Sequence, residues 1–307
     1  MSAARQLRSD HELRLKRALL SLDGLSVGDA FGDQFFVNPQ TVIDRITQRL
    51  VSASRWHYTD DTVMALCIYG CLEKDGEIER DDLAERFAAE YQRDPFRGYG
   101  GTAHSILQAI GNGVAWERAA GDVFSGMGSM GNGGAMRVAP LGAYFADDVP
   151  ELIKQAHASA EVTHAHPEGQ AGAIAVALAA AWAWNHRENP ASEPAREMIE
   201  FVVEHIPESD TWSRIRRTLT FPWAFTSALV AQKVGNGSLV TSPDTVPLAI
   251  WCAARHWRDY PEALWNTVSA LGDMDTTCAM VGGIVALSAR PNAIPADWLE
   301  ARETLPI

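Results

Sequence analysis

The chain has few cysteines, a deficit of basic residues and no long apolar run, and each shortage excludes something. Its four cysteines, Cys67, Cys71, Cys252 and Cys278, form no CxxC pair and no zinc-type spacing, so neither a disulfide framework nor a structural zinc site is indicated. They read as reduced thiols packed inside a cytoplasmic protein. Lys and Arg number 26 against 39 Asp and Glu, a net charge of −13. Such a balance leaves no electrostatic footprint for nucleic acid or an anionic membrane, and charged ligands then need local, dedicated sites. The most apolar stretch, "AGAIAVALAAAWAW" at 171–184, is broken by His186 and Arg187 before it reaches the length of a membrane span. The N-terminal "MSAARQLRSDHELRLKRALLSL" carries Asp10 and Glu12 and lacks an apolar block with a cleavage site, which makes cytoplasm the expected location.

Strand-like alternation is also missing. Apolar residues recur instead at helical spacing: Leu13, Leu15, Ala18, Leu19, Leu22 and Leu25 mark a first helix, and Val63, Leu66, Ile68 and Leu72 another. Further helices are predicted at 81–92, 102–111, 151–159, 168–186, 195–205, 211–217, 222–232, 245–257, 261–270 and 276–289. Breakers concentrate at 93–101, 121–134, 187–194 and 234–244, none of them a linker between two cores. There is no repeat period and no low-complexity tract. A chain of 307 residues, 47% hydrophobic and 21% charged, can bury a large core. Small residues at 171–181 and 279–289 let helices approach closely, so the expectation is one compact all-α bundle, a single domain over 1–307.

Two stretches place carboxylates where a core would not want them. "WHYTDDTVMALCIYG" (56–70) sets Thr59, Asp60, Asp61 and Thr62 before an apolar helix, and "LGDMDTTCAMVGG" (271–283) does the same with Asp273, Asp275 and Thr276. Helix capping accounts for one Asp in each stretch. A second carboxylate adds repulsion that only a cation or open solvent relieves. Together the stretches offer four carboxylates and several hydroxyls, hard oxygen ligands of the kind Mg²⁺, Mn²⁺ or Ca²⁺ takes. If the two helix starts converge, they form a site for two divalent cations. "GNGGAMR" (131–137) adds glycines that permit close backbone approach and positive φ, a cradle suited to phosphate. An ordinary flexible loop is the alternative.

Five stretches, "GDAFG" (28–32), "YTDDT" (58–62), "GNGGAMRVAPLG" (131–142), "THAHPEGQAGA" (163–173) and "GDMDTTCAMVGG" (272–283), together resemble the ADP-ribosylglycohydrolase family. The resemblance is to its dinitrogenase reductase-activating glycohydrolase and ADP-ribosyl-acceptor hydrolase type. It implies an orthogonal all-helical bundle that removes ADP-ribose from modified protein side chains, with a binuclear Mg²⁺ centre that Mn²⁺ can substitute. On it, Thr59, Asp60, Asp61, Asp273, Asp275 and Thr276 bind metal, and Asp60, Asp61, Asp273 and Asp275 are the catalytic carboxylates. Gly131, Asn132, Gly133, Gly134, Met136 and His164 fall on ADP-ribose, and Tyr99 and Gly100 on a substrate-side loop. Tyr99 reads equally as a buried anchor of a turn. Arg137 reads as internally paired, His157 and His166 as surface or structural residues, and all ten tryptophans as packing.

Two positions depart from the family pattern. Phe36 stands where many members carry a glutamate that approaches the metal centre, and the serine-directed type relies on that glutamate. Its absence favours arginine-linked ADP-ribose as the substrate. Leu271 stands where a glycine commonly precedes the second acidic motif. Two alternatives stay open: a hydrolase of small ADP-ribose derivatives, and a non-enzymatic, crystallin-like relative, against which the four retained aspartates argue.

Overall fold

A computed structural model describes residues 7–288 and 292–307. The described residues form eighteen helices and no sheet. In chain order they are α1 (His11–Asp33), α2 (Pro39–Gln48), α3 (Asp60–Asp75), α4 (Arg80–Arg93), α5 (Gly101–Gly111), α6 (Trp116–Gly121), α7 (Val123–Gly126), α8 (Gly133–Met136) and α9 (Ala139–Tyr144). There follow α10 (Val149–Glu161), α11 (Pro167–Asn185), α12 (Pro194–His205), α13 (Asp210–Thr218), α14 (Ser227–Val234), α15 (Ser242–Arg255), α16 (Tyr260–Val268), α17 (Met274–Ser288) and α18 (Ala296–Ala301). The all-α expectation holds. Residues 1–6 of the N-terminal stretch, and residue 289 at the end of the predicted 276–289 helix, lie outside the described residues.

Helix α1 runs through the middle of the packing. Its face at Gly24, Gly28 and Gly32 lies directly on α17, and α1 also packs against α3 and α9. Glycine is required here by steric contact: a Cβ on Gly28 would lie 2.1 Å from the Cys278 carbonyl oxygen, and one on Gly32 2.2 Å from that of Met274. Backbones that touch at this spacing carry Asp29, between the two glycines, to the starts of α3 and α17. Helix α11, buried from Ala171 to Ala183, backs the assembly against α8, α9, α10, α15 and α17. One cluster of buried residues runs from Leu15 to Leu305.

Local chemistry explains where the helices differ from the predicted spans. The 222–232 run begins instead at Ser227, because Thr226 caps it by accepting from the Leu229 N–H. Helix α2 escapes the periodicity reading because only Val42 is buried along it, although Asn38 and Pro39 form an ordinary capped start. The glycine-rich 121–134 stretch is not plain loop: it holds the short α7, where Phe124 (φ 52°) and Ser125 (φ 59°) are left-handed, and the start of α8. No helix among the described residues is long and apolar enough to cross a membrane.

Candidate active site: carboxylates beneath a glycine loop

The two acidic stretches converge, and a fifth carboxylate joins them. Asp29, in the interior of α1 and 0% exposed, accepts hydrogen bonds from the Thr59 N–H (2.9 Å), the Thr62 N–H (3.1 Å) and the Thr62 hydroxyl (2.5 Å). It therefore satisfies the first turn of α3 from a neighbouring helix. Thr59 is the N-cap of α3, and its hydroxyl donates to Asp61 Oδ2 at 2.8 Å. The Thr276 hydroxyl, from α17, reaches the same oxygen at 3.4 Å. Carboxylate oxygens of Asp29, Asp61 and Asp275 lie within 4.8 Å of one another. Asp273 accepts from Asn132 Nδ2 at 2.6 Å and pairs with the Asp275 carboxyl.

Burial and mutual repulsion hold protons on this cluster. Asp29 is raised to about 7 by burial, against the hydrogen bonds from Thr62 and Thr59. Asp60 is raised to about 8, by burial first and then by Asp29 and Asp273. Asp61 and Asp275 lie well above the ordinary carboxylate range, again by burial first, and the charges acting on Asp61 are its neighbouring carboxylates. A group of five acids with no salt bridge to a basic residue among the described residues, and only the Arg137 charge acting on Asp60, is a costly arrangement unless a cation joins it.

The donor atoms fit such a cation. Among the described residues Asp61 Oδ1 and Asp275 Oδ1 are both buried and accept no hydrogen bond, while Asp61 Oδ2 is engaged by Thr59 and Thr276. Buried, unengaged carboxylate oxygens from two helices, beside Asp29 from a third, are the ligand type of Mg²⁺, Mn²⁺ or Ca²⁺. Asp29 is the residue that sequence reading passed over. Its signal was a carboxylate between two glycines on an otherwise apolar helix face, within a stretch already noted as a motif.

Above the carboxylates opens a cavity of about 550 Å³, within the range of small-ligand pockets. Asp60, Asp273, Asp275 and Thr276 form its floor; Gly100, Gly131, Asn132, Gly133, Met136 and His164 line its walls. Thr59 and Asp61 lie beneath the surface. Gly134 is buried behind the loop, against Ala160 and Gly169. Tyr99 is not on the lining; its ring packs edge-on against Tyr91 (5.2 Å) and His104 (6.2 Å). Gly131, Gly133 and Gly134 do not adopt the positive φ anticipated for them. Their role is space, since a Cβ on Gly131 or Gly133 would come within 3.0 Å of the His164 ring. The glycine loop is tied to the floor by Asn132, whose Nδ2 also donates to the Thr245 hydroxyl at 3.0 Å.

Arg137 and His166 take internal and structural places, and the reading of Phe36 is corrected. Arg137 is fully buried with no carboxylate partner: it donates to the Ser159 carbonyl and the Thr163 hydroxyl, both at 2.9 Å. His166 lines the cavity edge while capping α11, its Nδ1 accepting from the Glu168 N–H. The Phe36 ring is 52% exposed and outside the cavity lining, so it does not fill the place of a carboxylate at the centre. No glutamate lines the cavity either. Leu271 does occupy a position that favours glycine, with φ 58°.

Comparison with known proteins bears on the family and the fold. A family model described as ADP-ribosylglycohydrolase matches residues 10–305. ADP-ribosylhydrolase ARH3 of Homo sapiens is 31% identical, covering 80% of this chain and 75% of its own length. ADP-ribosylhydrolase ARH3 of Xenopus tropicalis is 28% identical over 91% of this chain and 88% of its own. A solved structure described as an ADP-ribosylglycohydrolase-related protein complex matches the fold with a TM-score of 0.65 and 24% identity, covering 95% of this chain and 94% of its own.

Proposed function

The chain belongs to the ADP-ribosylglycohydrolase family and is a hydrolase of ADP-ribose derivatives; from that premise we propose that it removes ADP-ribose from modified protein side chains, arginine in preference to serine. The observation that carries the reading is the convergence of buried Asp29, Asp60 and Asp61 with partly buried Asp273 and Asp275 at one end of a cavity walled by Gly131–Gly133. One end suits the distal ribose and the other the diphosphate. We assign two Mg²⁺, replaceable by Mn²⁺, to the five carboxylates with the Thr59 and Thr276 hydroxyls beside them. Bound there, divalent cations supply Lewis acidity that holds ribose hydroxyls and acidifies a water.

The protein's own groups then orient the bond to be broken. The backbone at Gly131 and Gly133 leaves room for phosphate oxygens against the chain. Carboxylates at the floor accept the proton that the attacking water loses as its oxygen joins C1 of the distal ribose. The C1–N bond breaks with its electron pair going to nitrogen, so the substrate's guanidinium leaves as neutral guanidine, which then takes up the proton held by the floor carboxylate. That departure needs less help than expulsion of a serine alkoxide, which agrees with a cavity lined by no glutamate. Burial of all four free cysteines suits a cytoplasmic setting, and the core cluster from Leu15 to Leu305 suits one domain over the whole chain.

The test is a panel of arginine-, serine- and cysteine-linked ADP-ribosyl peptides of matched sequence, with Mg²⁺ and with chelator. Arginine-linked substrate should turn over fastest, and chelator should abolish turnover. Asp60→Ala and Asp273→Ala should each lower it about a hundredfold or more with the helical circular dichroism retained. Serine-linked turnover equal to or above arginine-linked would remove the arginine preference. Wild-type rates in both alanine variants would remove the carboxylate reading itself.

A further inference from the structure

Arg137 has no part in the reading so far, yet it is among the largest fully buried side chains and lies on the cavity wall. Its guanidinium sits 4.3 Å from the Phe87 ring centroid, its Nη2 donates to the Ser159 carbonyl and to Thr163 Oγ1, and its Nε has no partner. A guanidinium can only donate. Thr163 Oγ1 is therefore an acceptor toward Arg137, and its own proton must go elsewhere. The one other partner of that oxygen among the described residues is His164 Nδ1, at 2.7 Å. If Nδ1 instead carried the hydrogen, the buried threonine proton would have no acceptor, at a cost that buried hydroxyls avoid.

Nδ1 is thus the acceptor and the ring hydrogen lies on Nε2. That nitrogen faces the glycine loop: it lies 3.0 Å from where a Cβ on Gly131 would be, and 3.2 Å from one on Gly133. We propose that Arg137 and Thr163 are positioning residues that lock His164 in its Nε2–H form, making it a hydrogen-bond donor to an anionic ligand oxygen lying on the 131–133 loop. A doubly protonated ring is excluded for the same reason, and the nearby Arg137 charge opposes it as well. His164 then acts by donation and is unsuited to abstracting a proton. Arg137 adds a positive charge behind the loop, with no carboxylate hydrogen-bonded to it among the described residues and Asp60 as the acid whose charge reaches it.

The inference rests on ADP-ribose occupying this cavity, and two readouts separate the two claims. Nitrogen-15 NMR of histidine-labelled protein without ligand, with His164 assigned by its loss in His164→Gln, should show Nδ1 unprotonated and Nε2 protonated near neutral pH. Thr163→Val removes the hydroxyl at almost constant shape; it should abolish that single-tautomer signature and weaken ADP-ribose binding about tenfold by calorimetry, while Thr163→Ser restores both. A His164 ring protonated on Nδ1 in the wild-type protein would overturn the proposal, whether or not Thr163→Val folds. An unchanged tautomer and affinity in folded Thr163→Val would overturn it too. Failure of the wild-type protein to bind ADP-ribose would instead count against the functional reading and leave the tautomer result standing.

Discussion

At the scale of single residues, the cavity depends on what glycine omits. Gly133 is in the first turn of α8 with ordinary helical φ, so replacing it introduces no backbone strain. Its cost is spatial. A β-branched side chain there would meet the His164 ring and cover the surface on which a phosphate would rest. Gly133→Val is expected to weaken ADP-ribose binding by at least about tenfold while changing the thermal midpoint little. Calorimetry showing unchanged affinity would remove the diphosphate from this loop. The acidic residues on either side of the site were legible from the chain because each pair precedes an apolar run, a pattern that capping alone does not need. Asp29 was not legible in this way: it lies inside a helix, and the donors that engage it, Thr59 and Thr62, lie thirty and more positions away. The internal pairing of Arg137 was legible, but not its partners, which are carbonyl, hydroxyl and ring groups from residues far along the chain.

At the scale of helices, the decisive contact is between α1 and α17. Gly28→Ala would drive a methyl into the Cys278 carbonyl, and neither backbone can retreat without moving Asp29 relative to Asp275. Destabilisation of about 3 kcal/mol is expected, read as a lower denaturation midpoint, with loss of turnover even where the variant remains folded. Wild-type stability would mean that the helices separate easily and that the close packing does not hold the centre. Helical spacing revealed most long helices because their buried faces recur every three to four residues. It missed α2, a helix with one buried residue, and it could not foresee the backbone contact, which depends on the partner's carbonyls and not on periodicity.

At the scale of the whole molecule, folding in the absence of metal gathers groups that resist being charged together. Asp29, raised to about 7, and Asp60, raised to about 8, keep protons in the folded chain that an unfolded chain releases near pH 4. The folded state binds more protons across that window, so metal-free stability should fall as pH rises from about 4 to about 8. A divalent cation replaces those protons. Mg²⁺ at about a hundred times its dissociation constant would be worth about 2.7 kcal/mol, or roughly 4 °C in a chain of this size. The gain should be larger at about pH 8 than at about pH 5.5, as measured by melting with Mg²⁺ and with chelator. A gain that is absent, or greater at the acidic pH, would contradict the carboxylates as the binding groups. The bond from Asn132 to Asp273 has a further consequence. Because the same amide also holds Thr245, the loop proposed to receive phosphate and the floor proposed to receive ribose cannot drift independently. Their spacing belongs to the protein, so the cavity works as a ruler: an analogue with one phosphate too few or too many reaches one mark and misses the other.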